Sequence, residues 1–95
     1  MIIEIFGKKI NDEQDFHDQL AKALKVEEFY GRNLDALWDL LSSSIDRPLH
    51  LVWLDSLESK CKLGKKFDEI ISILDRVKSQ DEKFLWDEKF TYSLK

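Results

Sequence analysis

The length, composition and charge of the chain limit its class before any motif is considered. Its 95 residues fall within the size of one domain, and 43% hydrophobic with 36% charged residues is typical of a globular protein. The single cysteine, Cys61, excludes an internal disulfide, and with only two histidines the usual zinc-ligand spacings are absent. We therefore expect one domain over residues 1–95 that uses neither a metal nor another cofactor.

Hydropathy and the N-terminal segment bear on where the protein acts. No apolar run approaches the ~20 residues that a membrane-spanning helix needs. Residues 1–6 lack the basic segment and the long apolar segment of a secretory signal. The expectation is a cytoplasmic protein that has no membrane partner.

The excess negative charge lies in one stretch of the chain. Residues 27–46 contain five acids and one base, whereas the other 75 residues contain 14 of each. Such a stretch repels nucleic-acid phosphates and attracts basic surfaces. We expect a basic protein partner rather than DNA or RNA. The lysine cluster at residues 60–66 is better explained as solvated helix surface than as a phosphate contact.

The first half of the chain predicts one strand and two helices. Residues 2–6 are rich in β-branched side chains and precede Gly7, a pattern typical of a buried strand that ends in a turn. Apolar residues then recur at helical spacing, which predicts an amphipathic helix over about residues 12–25. Asn33 can cap a second helix that runs to the serines at 42–44.

The middle of the chain predicts the centre of a sheet. Residues 49–54 follow Pro48 and are nearly all apolar, which is typical of a central strand covered on both faces. A short helix is predicted over residues 56–61.

The last third predicts a long helix and a final strand. The apolar period from Lys65 predicts a helix that ends near Ser79, before the polar residues 80–83. Residues 84–86 are interpreted as a hydrophobic anchor or an early part of a strand, and residues 90–94 as the final strand. This order predicts an α/β fold with three main helices packed on a three-stranded parallel sheet.

The second helix carries the pattern most specific to function. Its leucines fall on one side, and Asp35 and Asp39 on the other. The helix dipole favours Asp35 in the first turn, but it does not explain Asp39, which repels Asp35 at i, i+4. By spacing alone, both a solvated acidic face and a binding face remain open. Trp38, between the two sides, fits either the core or an interface.

The segment before this helix leaves similar alternatives. Phe29 and Tyr30 are equally consistent with core positions and with a binding surface. Gly31 is predicted to supply a turn conformation that other residues avoid.

Catalysis is not expected. Asp35 and Asp39 lie on a convex helix face with no apparent pocket, nucleophile or metal partner. His17, among acids of the first helix, is interpreted as a surface or half-buried structural residue. His50, in an apolar strand, is interpreted as a core or edge histidine with satisfied hydrogen bonds.

The second helix also carries a resemblance. Residues 30–39 read YGRNLDALWD, which resembles the signature of the barstar family of ribonuclease inhibitors. The likeness extends to the opening strand, the first helix, residues 48–54 and the helix from Phe67. It implies a small cytoplasmic inhibitor that plugs the active site of a secreted, basic ribonuclease of barnase type. We expect the free protein to be monomeric. In that reading Asp39 takes the place of an RNA phosphate.

The resemblance and its flanking residues together assign the candidate partner-binding residues. We expect them to be Phe29, Tyr30, Gly31, Asn33, Asp35, Trp38, Asp39, Ser42, Ser43 and Ser44.

The sequence also departs from the best-known family members. Phe29 stands where they have Tyr, and Ser44 where they have Trp, while Arg76 and Gln80 fall where they carry interface acids. Because Arg76 would meet a basic cleft unfavourably, we expect a ribonuclease other than the archetype, or weaker binding to the archetype. The alternative is an antitoxin or interaction module for a basic partner that is not a ribonuclease.

Overall fold

A three-stranded parallel sheet forms the centre of the computed structural model, which describes residues 1–84 and 87–95. The strands are β1 (Ile2–Phe6), β2 (Leu49–Leu54) and β3 (Phe90–Leu94), in the spatial order β1-β2-β3. Leu51 of β2 lies opposite Ile3 on one side and Tyr92 on the other. The predicted α/β class and the central position of residues 49–54 are confirmed.

Four α-helices lie within the described residues. They are α1 (Glu13–Leu24), α2 (Leu34–Asp39), α3 (Ser56–Leu63) and α4 (Lys65–Lys83). A π-helical turn (Leu40–Ser44) continues α2, and a 3-10 turn (Gly7–Lys9) follows β1. Helices α1, α2 and α4 are the three that the sequence predicts, and α3 is the predicted short helix.

The core is built around Trp53 of β2, which is fully buried. Its ring stacks on Phe16 of α1 with centroids 4.8 Å apart and packs against Phe67 of α4 at 5.0 Å. Its Nε1 donates a hydrogen bond to Ser59 Oγ of α3 at 3.0 Å. One side chain therefore joins three helices to the sheet, and its polar atom is satisfied.

The prediction that β2 is covered on both faces is wrong. Leu49, Leu51 and Trp53 are buried, but the alternate residues, including His50, are only half-buried. On that outer face the ring nitrogens of His50 pair with Thr91 Oγ1 at 2.7 Å and Ser93 Oγ at 3.1 Å. The interpretation of His50 as a satisfied histidine is confirmed. Apolar composition marked the strand as central, but it could not tell which face the helices cover.

The predicted end of the long helix near Ser79 is also wrong, because α4 continues to Lys83. Asp81 is fully buried on the inner side of this last turn. Arg47 donates to both of its carboxylate oxygens, and the backbone N–H of Phe90 donates to Oδ2. Because Asp81 is paired, the helix continues through the polar residues 80–83, which by pattern alone predict the end of the helix.

The interpretation of residues 84–86 falls largely on Leu85 and Trp86, which lie outside the described residues. Phe84 follows the end of α4 in a turn and is exposed.

Candidate partner-binding site

Helix α2 begins with the cap that the sequence predicts. Asn33 has extended backbone angles, and its Oδ1 accepts a hydrogen bond from the backbone N–H of Ala36 at 2.8 Å. Such a cap satisfies one of the N–H groups that a helix leaves unpaired at its start. The acidic residues that follow are thus carried on a helix whose first turn is fixed.

The prediction for Gly31 is wrong in its reason. Its φ lies outside the left-handed region, and Arg32 adopts that conformation instead, with φ 53°. A Cβ on Gly31 would lie 3.0 Å from the Cβ of Ala36. Glycine is favoured here because the chain passes close to α2, which leaves little space for a side chain, and not because a turn requires it.

The acidic face of α2 is unpaired in the described part of the chain. Asp35 and Asp39 are both exposed, and neither carboxylate forms an ion pair with a described residue. Arg32, the base of the acidic stretch, directs its Nε to Asp18 of α1 at 3.0 Å. On the opposite side of α2, Leu37 is fully buried. The predicted division of this helix into an apolar and an acidic side is confirmed.

A π-helical turn follows Asp39 directly. Ser43 Oγ donates a hydrogen bond to the backbone carbonyl of Asp39 at 3.0 Å. Ser43 and Ser44 are exposed, whereas Ser42 is half-buried. Segments of π-helix are rare and occur frequently at functional sites. Here the turn places Ser44 beside the segment that precedes α2.

Half of the predicted binding residues meet at a small open pocket of about 180 Å³. Its lining comprises Phe29, Tyr30, Gly31, Ala36, Asp39, Leu40 and Ser44. The side chain of Phe29 is 71% exposed beside this pocket. An exposed aromatic ring next to an unpaired carboxylate is a combination found at protein interfaces.

Tyr30 lies at the back of this pocket and is itself buried. Its hydroxyl is 2.6 Å from Nδ1 of His17, whose Nε2 lies 2.8 Å from Glu13 Oε2. Burial raises the pKa of Tyr30 well above its usual value, the nearby Glu13 raises it further, and Arg32 opposes the shift. The structure thus gives Tyr30 a supporting position beneath the exposed residues.

His17 is fully buried, so its predicted surface or half-buried position is wrong, although its structural role stands. Tyr30 and Glu13 pair with its two ring nitrogens, which allows a polar ring to be buried. The sequence did not indicate that His17 supports Tyr30 at the back of the pocket. The i, i+4 spacing of Glu13 and His17 indicated only that these two side chains can meet.

The remaining edge of the site is formed between α2 and α4. Trp38 is half-buried against the core, and Cζ of Arg76 lies 4.5 Å from the centroid of its ring. Gln80 Nε2 donates a hydrogen bond to the backbone carbonyl of Ser42 at 3.2 Å. Arg76 and Gln80 therefore lie beside the candidate site, at positions where the family resemblance implies acids.

Two other kinds of feature, a metal site and a membrane-spanning helix, are absent from the described residues. No group of three or more His, Cys, Asp or Glu side chains among them is arranged to hold a metal ion. None of the helices they form is long and apolar enough to cross a membrane.

The fold and the site together define a small α/β protein that exposes an acidic, N-capped helix. The family model described as Barstar (barnase inhibitor) matches residues 1–92. The chain is also 35% identical over 78 residues to the Bacillus subtilis (strain 168) protein named "Putative ribonuclease inhibitor YrdF", a match that covers 82% of this chain and 86% of that protein. The chain belongs to the barstar family, as its sequence signature predicts. The family description and the name of this relative both refer to inhibitors of ribonucleases.

Proposed function

We propose that this protein inhibits a secreted, basic ribonuclease of barnase type by filling its active-site cleft with the acidic face of α2. The observation that carries the proposal is the exposure of Asp35 and Asp39 without ion-pair partners among the described residues. A ribonuclease cleft holds phosphate with Arg, Lys and His side chains. Carboxylates on a rigid helix are a preorganised substitute for that phosphate.

Within this proposal the ten binding residues have different tasks. Asp39, at the pocket, replaces the phosphate, and Asp35 adds charge one helical turn earlier. Phe29, Trp38 and the serines at 42–44 form the surface around them. Three residues hold the α2 segment in place. Asn33 caps the helix, Gly31 allows the chain to pass close to Ala36, and the buried hydroxyl of Tyr30 bonds to His17. The inhibitor acts as a monomer in the cytoplasm, where it protects the cell from its own enzyme.

A second candidate is an antitoxin or interaction module for a basic protein that is not a ribonuclease. The observation that favours it is the cationic Arg76 beside Trp38, at the edge of the acidic face. A partner captured through Asp39 that lacks ribonuclease activity would favour this candidate over the first.

The test is inhibition of barnase by the wild-type protein and by Asp39→Ala. Asp75 is a poor control, because it accepts a hydrogen bond from the hydroxyl of Tyr92. Glu58→Ala is a better one, since Glu58 is an exposed acid on α3 outside the proposed surface. We expect Asp39→Ala to weaken inhibition at least ~30-fold, the threshold of an interface hot spot. Glu58→Ala should change it less than about threefold.

The salt dependence of association gives a second readout. Between 50 and 500 mM salt the association rate of the wild type should fall, because screening weakens steering between an acidic face and a basic cleft. Equal effects of the two substitutions, or an association rate independent of salt, would reject the proposed mechanism.

A further inference from the structure

Arg76 gives the acidic surface a positive edge. Its guanidinium lies over the ring of Trp38, with Cζ 4.5 Å from the centroid. Trp38 directly precedes Asp39 in α2, so the cation is held close to the acidic face. A guanidinium on an aromatic ring gains cation–π attraction, which favours this position before any partner binds.

The charge of Arg76 is not neutralised by the described residues. None of their carboxylates forms an ion pair with it. The adjacent acid, Asp75, is engaged by the hydroxyl of Tyr92. Arg76 is exposed, and its N–H groups make no hydrogen bond within the described part of the protein. They remain available to an external acceptor.

A neighbouring contact joins α4, which carries this cation, to the acidic surface. Gln80, one turn further along α4, donates its side-chain amide to the carbonyl of Ser42. This bond joins α4 to the π-helical turn that follows Asp39. The surface thus combines unpaired carboxylates on α2 with an unpaired guanidinium on α4, and both helices are tied together beside them.

We infer that Arg76 is a specificity-determining residue, and that the partner carries an Asp or Glu carboxylate at the rim of its basic cleft, opposite Arg76. This inference rests on the proposed function. A guanidinium pairs with a carboxylate through two parallel hydrogen bonds. Against a rim of basic residues, the same guanidinium would be desolvated beside like charges, which disfavours binding.

The experiment uses barnase and a panel of barnase variants in which each Lys or Arg at the rim of the cleft is changed singly to Glu. Association and dissociation rates are measured with the wild-type inhibitor, Arg76→Gln and Lys78→Gln. Lys78 is the matched control, since it is an exposed base on α4 and points about 160° away from Arg76 around the helix. A cooperative thermal unfolding transition like that of the wild type shows that each variant is folded.

We expect at least one rim variant to bind the wild-type inhibitor at least tenfold more tightly than it binds Arg76→Gln, with most of the change in dissociation. Unmodified barnase should show the opposite order. Lys78→Gln should alter all affinities by less than about threefold. If no rim variant distinguishes Arg76→Gln from Lys78→Gln, the inference is wrong.

Asp39→Ala, measured on the same panel, separates this inference from the proposed function. If the affinity for the rim variants depends on Arg76 but not on Asp39, the inference about Arg76 is supported and the phosphate-replacing role of Asp39 is rejected. Dependence on Asp39 without coupling to Arg76 would support the proposed function and reject the inference.

Discussion

Arg47 donates two hydrogen bonds to the buried carboxylate of Asp81, from Nε to Oδ2 at 2.9 Å and from Nη2 to Oδ1 at 3.0 Å. Its Nη1 also donates to the carbonyl of Ile45 at 2.8 Å, just after the π-helical turn. Asp81 accepts a further hydrogen bond from the backbone N–H of Phe90 at 2.7 Å. This pair joins the segment between the π-helical turn and β2 to the end of α4 and, through Phe90, to the start of β3.

Replacing Asp81 should therefore be strongly destabilising. Asp81→Asn leaves the nearly buried guanidinium of Arg47 without its carboxylate, and breaking a buried ion pair in this way costs about 3–5 kcal/mol. Urea unfolding followed by circular dichroism measures the free energy of unfolding. A loss below about 1 kcal/mol would show that the pair contributes little.

The matched control for this prediction is the double variant Arg47→Gln, Asp81→Asn. Most of the cost in the single variant comes from losing the carboxylate opposite the buried charge of Arg47, so removing Arg47 as well should add little further destabilisation. Additive losses from the two substitutions would contradict this account.

The same pair predicts how stability depends on acid. Burial raises the pKa of Asp81, but the hydrogen bonds from Arg47 and Phe90 and the charge of Arg47 outweigh it, so that the pKa lies below its usual value. Because the folded pKa is lower than the unfolded one, of about 3.9, this stabilisation is present above pH ~4. It is lost as the pH falls through the folded pKa.

The difference in unfolding free energy between the wild type and Asp81→Asn should accordingly shrink below pH ~4 and stay constant from pH 5 to 7. Urea unfolding of both proteins from pH 2 to 7 measures it. A difference that does not change with pH would show that Asp81 is not ionised in the folded protein.

Tyr30→Phe separates a supporting role of Tyr30 from a direct one. The substitution removes the buried hydroxyl that meets His17 and should cost about 1–3 kcal/mol of stability. Because the ring still lines the pocket, inhibition of barnase by the folded variant should change less than about threefold. A large loss of inhibition at full folding would indicate that the hydroxyl itself meets the partner.

The cap of α2 should be worth about 1 kcal/mol. Asn33→Ala removes the oxygen that accepts from the N–H of Ala36, a loss that typically costs 0.5–2 kcal/mol, or about 1 kcal/mol on average. Asn33→Ser is the control, since serine can cap the helix in the same way. If thermal unfolding places the two variants at equal stability, the cap contributes nothing measurable.

Local pattern was sufficient to predict much of the architecture. The strands at residues 2–6, 49–54 and 90–94 coincide with the observed ones, and helix α2 begins after Asn33 as its capping preference indicates. These features depend on neighbours a few residues apart, because apolar periodicity and caps act within one or two helical turns. The two sides of α2 follow for the same reason.

The sequence by itself therefore determined the α/β class, the membership of the barstar family and the acidic side of α2. Only the tertiary structure decided which polar groups are buried or covered, since this depends on partners distant in sequence. Asp81 extends α4 because Arg47, 34 residues earlier, pairs with it, and His17 is buried because Tyr30, 13 residues later, meets its ring. The place of Arg76 over Trp38 likewise arises only when α4 packs beside α2, because no local pattern specifies which side chains two helices bring together.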